Sequence, residues 1–181
     1  TDTSPTRRGL DSLGMRDATL ALGDQIADAV TVGEAIEGLP SGEEIANVLV
    51  LGMGYSGLVG DIVETVGELF LPLPVVVAKG YDAPSFVSSD TLVVAVSYSG
   101  ETEETIKAAE EAAASGGRLL VVTSGGELAR LAPSWGAALA PVPATFPAPR
   151  TAVGAMAVPV LVALERMGVF PGAHGWIAAA A

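Results

Sequence analysis

A chain of 181 residues, half of them hydrophobic, is long enough for one domain with a sizeable core. Its net charge of −12, with lysine only at 79 and 107, excludes a nucleic-acid-binding surface and leaves any anion site dependent on local hydrogen bonds rather than a positive field. The absence of Cys excludes disulfides and thiolate catalysis, and a single His174 cannot form a zinc-binding His cluster, so no metal or cofactor is expected, with carboxylate-held magnesium left open; the longest apolar stretch, 152–164, is interrupted by Pro159 and too short for a bilayer, which predicts no membrane association and a cytoplasmic location.

Residues 1–9 are polar and predicted to fray, with 10–181 as a single domain. Leu20, Ile26, Val30, Ala35 and Ile36 recur at helical spacing and predict one or two amphipathic helices over 16–38. Leu39-Pro40-Ser41-Gly42 breaks them. A short buried strand follows at 47–51, then the turn Gly52-Met53-Gly54-Tyr55-Ser56-Gly57, then helical spacing from 58 to 70. Strands are predicted at 74–78 and 92–96, separated by a loop containing Pro84. The segment Ser97–Thr102 leads into a helix at 103–114 that Ser115-Gly116-Gly117 ends. A fourth strand at 118–122, the turn Thr123-Ser124-Gly125-Gly126, a short helix at 127–131 and a fifth strand at 137–142 complete the alternation. Three prolines make 143–149 irregular, an apolar helix runs from 150 to 167 with Pro159 as a kink, and His174 falls in a loop before an Ala-rich end.

Strands alternating with helices imply an α/β fold: a five-stranded, mostly parallel sheet with helices on both faces. Ligands of such sheets bind beyond the carboxyl ends of the strands, where the order of connection reverses. The three Ser/Gly-rich turns each follow a strand and should line that edge together.

Ser97-Tyr98-Ser99-Gly100-Glu101-Thr102 is the most informative segment. Three hydroxyls and a glycine sit where a buried strand turns into a helix. The first N–H groups of a helix have no partner within it, and its dipole makes that end positive. Hydroxyls spaced alternately across such a turn read as a phosphate site; simple capping by Ser99 or Thr102 is the competing reading. Gly52-x-Gly54-x-x-Gly57 matches the dinucleotide-binding fingerprint. However, the second strand ends in Ala78-Lys79-Gly80, where a ribose needs an acidic residue, and the fingerprint leaves the hydroxyl segment unexplained.

Taken together, Gly52–Gly57, Ser97–Thr105 and Thr123–Gly126 resemble a sugar isomerase (SIS) domain. Leu10–Met15, Gly80–Pro84, Ser124–Leu128 and Pro149-Arg150 are similar to bifunctional phosphoglucose/phosphomannose isomerases, and the likeness runs from about 10 to 168. The resemblance implies a flavodoxin-like sandwich that binds a phosphorylated sugar. The side chains of Ser97, Ser99 and Thr102 and the backbone of Gly100 and Glu101 would hold the phosphate, with Gly54, Ser56 and Gly57 near the sugar. Tyr55 stands where the family has glycine, and its ring would either crowd the sugar or stack on it.

The implied reaction is aldose–ketose isomerisation between glucose 6-phosphate or mannose 6-phosphate and fructose 6-phosphate. It needs a base, a ring-opening group and a positive group near the developing oxyanion. Arg150 resembles the family arginine near the reacting carbons; pairing with a surface carboxylate is its plainer role. The family's catalytic Glu and His belong to a second, similar domain, and Glu101, Glu103 and Glu104 read as first-turn helix charges. The alternative is a non-catalytic or regulatory phosphosugar-binding module. The apolar helices at 16–38 and 150–167 predict a homodimer or pairing with a second SIS domain.

Overall fold

The computed structural model describes residues 11–68 and 70–181; the segment 1–9 predicted to fray lies outside them. Five strands, β1 (Asn47–Gly52), β2 (Val75–Ala78), β3 (Thr91–Ser97), β4 (Arg118–Thr123) and β5 (Ala138–Pro141), form one sheet in the order β2-β1-β3-β4-β5. Every pairing is parallel, from Val48 opposite Val75 to Thr123 opposite Pro141. The sheet is therefore wholly parallel. The chain reverses its direction of travel between β1 and β3, the switch point of this strand order.

Both faces are covered, which explains the unbroken apolar runs of the strands. Val48, Val50, Leu92, Val94, Val96, Leu120 and Val122 face one core. Over it lie α2 (Leu22–Glu34), α3 (Gly54–Gly67), α6 (Val153–Arg166) and α7 (Ala173–Ala180). Leu49, Leu51, Val93, Ala95, Leu119 and Val121 face the other, beneath α4 (Glu103–Ala114) and α5 (Gly126–Leu131). Gly33 sets how closely α2 and α6 pack: a β-carbon there would lie 2.6 Å from Cβ of Val162. All seven residues of β3 are buried.

The helical stretch 16–38 forms two helices, α1 (Met15–Leu20) and α2, as its spacing allowed, with α2 ending at Glu34 rather than at 38. Two further helices start elsewhere than predicted. The helix predicted from 58 begins at Gly54, so only Met53 separates it from β1. Glycine makes this compact: a β-carbon on Gly57 would stand 2.7 Å from the Gly52 carbonyl oxygen. The helix predicted from 150 begins as a 3-10 turn, Pro149–Thr151, before α6.

His174 is not in a loop. It sits in the first turn of α7, a helix the sequence reading did not place. One carboxylate starts that helix: Glu165 accepts N–H groups from Gly172 at 3.0 Å and His174 at 2.9 Å. The same side chain bonds Nδ1 of His174, while Nε2 lies 2.6 Å from Glu34. Trp176 then packs on Phe70 with ring centroids 4.8 Å apart. No helix among the described residues is long and apolar enough to cross a membrane.

Candidate functional site

The first two Ser/Gly segments meet at the switch point. Met53, Gly54, Tyr55 and Ser56, from the start of α3, form one wall of an open cleft of about 260 Å³. Tyr98, Ser99 and Thr102, from the β3–α4 loop, form the other, and Pro149 closes a third side. This is smaller than the ~300 Å³ at which pockets for drug-sized ligands begin.

Both helices open onto this cleft without a side-chain cap. Thr102 occupies the capping position of α4 in extended conformation, yet its hydroxyl caps nothing. It lies 2.9 Å from the Ser97 hydroxyl instead. The first bond into the helix is Ile106 N–H to the Thr102 carbonyl, which leaves the N–H groups of Glu103, Glu104 and Thr105 to be met from outside. In α3 the Met53 carbonyl accepts from Ser56 and Gly57, leaving Gly54 and Tyr55 as the open donors. The capping reading of Thr102 is thus not what the structure shows.

The loop is held from behind. Ser97 is fully buried and its hydroxyl accepts the Gly100 N–H at 3.1 Å. Gly100 has φ +72°, and a β-carbon there would lie 1.8 Å from the Gly125 carbonyl oxygen, so only glycine fits. Ser124 binds the Tyr98 carbonyl through both its hydroxyl, 2.6 Å, and its N–H, 3.0 Å. The third Ser/Gly turn therefore supports the loop and does not line the cleft. Ser99 is exposed; its hydroxyl accepts the Glu101 N–H at 3.2 Å and keeps its proton for another partner.

Of the residues singled out in the sequence, Gly54, Tyr55, Ser56, Ser99 and Thr102 line the cleft together. Ser97, Gly57 and Gly100 are buried beside it. The Glu101 carboxylate turns away and accepts the N–H of Glu127 at 3.1 Å, at the start of α5. Arg150 is exposed next to Pro149, is not part of the lining, and makes no ion pair with a described carboxylate. Tyr98, Met53 and Pro149 also line the cleft; each lies inside a motif singled out in the sequence but was not expected to be a site residue.

The surroundings are acidic. Glu104 and then Glu103, both in the first turn of α4, raise the nearby Tyr81 phenol above its ordinary pKa by their negative charge. Lys79 is paired with Asp61 at 2.7 Å. The hydrogen bond from Arg130 holds the Glu127 carboxyl below its usual range. Apart from two tyrosine hydroxyls, the lining carries no ionisable side chain. Such a cleft can hold an anion by N–H and O–H donors but offers no carboxylate or imidazole to move a proton.

Fold and site define a doubly wound α/β domain with a hydroxyl-bearing cleft at its switch point. The chain belongs to the SIS domain family, whose model matches residues 44–158. It is 33% identical over 155 residues to the bifunctional phosphoglucose/phosphomannose isomerase of Caldicellulosiruptor bescii, covering 86% of this chain and 45% of that protein. It is 40% identical over 116 residues to the enzyme of the same name from Thermoplasma acidophilum, covering 64% and 35%. This chain thus spans less than half the length of these relatives. Among solved structures, the C-terminal domain of glucosamine-fructose-6-phosphate aminotransferase from Francisella tularensis shares the fold, with a TM-score of 0.64 at 15% identity over 92% of this chain and 51% of that one.

Proposed function

We propose that this chain is the phosphosugar-binding part of an aldose–ketose isomerase of the cytoplasm. The substrates are glucose 6-phosphate or mannose 6-phosphate and fructose 6-phosphate, a reading supported by the names of its relatives. The observation that carries it is the convergence of two uncapped helix starts and the hydroxyls of Ser99 and Thr102 on one cleft. The phosphate takes the Ser99 and Thr102 hydroxyls and the first N–H groups of α4; the N–H groups of Gly100 and Glu101, which the family resemblance also implied, are held by the Ser97 and Ser99 hydroxyls. Ser97 orients Thr102 from behind. The sugar lies over Gly54, Tyr55 and Ser56, with Gly57 beneath, and Arg150 meets the developing oxyanion from the Pro149 side. The catalytic carboxylate and histidine come from a second domain or another copy of the chain, since the lining holds neither. The exposed Leu13, Leu20 and Leu22 offer an apolar face for that partner.

The same lack of a proton-transfer group favours a second reading, a phosphosugar-binding module without turnover. Calorimetric titration with fructose 6-phosphate separates the outcomes. Binding that Ser99→Ala weakens about tenfold, the scale of one charge-assisted hydrogen bond, supports both readings. Interconversion of the sugar phosphates that Arg150→Ala abolishes selects the isomerase. Absence of binding, with Ser99→Ala neutral, overturns both.

A further inference from the structure

We propose that Tyr55 reads the carbon skeleton of the ligand, so that this ring, and not the hydroxyl loop, sets the preference of the cleft for a sugar phosphate over phosphate itself. The inference rests on the phosphosugar reading of the cleft.

Two aromatic rings line the cleft, and the structure leaves them in opposite situations. Tyr98 is committed. Its hydroxyl donates toward the carbonyls of Phe146, 3.1 Å, and Pro143, 3.3 Å, and accepts the Phe146 N–H at 3.1 Å. Its ring meets Phe146 edge-on with centroids 6.4 Å apart. Neither its hydroxyl nor its ring can turn to a ligand without releasing the 143–149 loop.

Tyr55 is 50% exposed, and among the described residues its hydroxyl has no hydrogen-bond partner. Its ring also packs on no other aromatic ring among them. A large apolar face held half in water gains free energy when something covers it.

Position decides what covers it. Tyr55 precedes Ser56, and Ser56 is tied to Tyr98, which precedes Ser99. The ring and the Ser99 hydroxyl line the same cleft, with this hydrogen bond joining the segments that carry them. A phosphate held by Ser99 and Thr102 leaves the ring to the part of the ligand that carries C–H groups. An aromatic face packs on such C–H groups whatever the hydroxyl pattern. A ring that merely crowded the cleft would have the opposite effect, lowering affinity for anything larger than phosphate.

The experiment is calorimetric titration of the full chain, Tyr55→Phe and Tyr55→Ala with inorganic phosphate and with fructose 6-phosphate, read as the ratio of the two affinities. Expected is a ratio favouring the sugar phosphate in the native chain, kept in Tyr55→Phe and lowered about fivefold in Tyr55→Ala. Unchanged urea midpoints control for folding. An unchanged or raised ratio in Tyr55→Ala overturns the role of Tyr55 while leaving the phosphosugar reading intact. Failure of the native chain to bind either probe overturns both.

Discussion

The backbone N–H of Tyr98 donates to the Ser56 hydroxyl at 3.2 Å, joining two residues 42 positions apart. Ser56 passes its own proton toward the sulfur of Met156, 3.8 Å away. One buried hydroxyl thus ties the end of β3 to the start of α3 and to α6, directly beneath the cleft. Ser56→Ala leaves the Tyr98 N–H without an acceptor and should cost about 1–3 kcal/mol in urea unfolding. A cost near zero would show that another group takes the N–H.

Backbone shape at Gly100 makes a sharper prediction. Its φ of +72° and the 1.8 Å approach to the Gly125 carbonyl forbid a side chain. Gly100→Ala should lose at least ~2 kcal/mol and reshape the hydroxyl loop. Gly80→Ala is the comparison: a β-carbon there meets nothing within 4 Å, so its effect should stay within about 0.5 kcal/mol. Equal effects at the two positions would refute the steric account.

Tyr98→Phe keeps the ring but removes the hydroxyl that holds Pro143 and Phe146. Hydrogen exchange at the Phe146 amide should quicken, and the 143–149 loop should become more accessible to protease. Native-like protection of that amide would mean the loop is held by its prolines alone.

The His174 cluster predicts a pH dependence of stability. Hydrogen bonds to Glu165 and then Glu34 outweigh burial and raise the imidazole above its ordinary 6.5. A raised value means stabilisation that is complete below about pH 6.5 and fades as pH climbs through the shifted value. Burial acts to raise the Glu165 carboxyl, but the bonds from His174 and Gly172 outweigh it and bring it below 4.5. Its contribution is present above that pH and lost in stronger acid. The melting temperature of the native chain minus that of His174→Gln should therefore be largest near pH 5–6 and shrink toward pH 9. A difference independent of pH would rule out a titrating clasp. Exposure and salt keep the effect modest, since the His174 side chain is 43% exposed.

Much of this protein was written locally. Unbroken apolar runs rich in Val and Leu marked β1 to β4, a weaker Ala-rich run marked β5, and Glu103–Ala114 is the helix its composition predicts. The hydroxyl segment could be read as a candidate anion site because strand, turn and helix start follow one another in the chain. Three things were decided only in three dimensions. Glu165 creates α7 by accepting N–H groups seven and nine residues away. Glu101 is taken from the loop by the start of α5, 26 residues on. Tyr98 is anchored by a loop some 45 residues further along, which leaves Tyr55 as the unengaged ring of the cleft. Periodicity and turn chemistry act over a few residues, so the sequence can show where a helix starts and which groups stand there. Which hydroxyls, carboxylates and rings remain open to a ligand depends on partners that only folding brings within hydrogen-bonding distance.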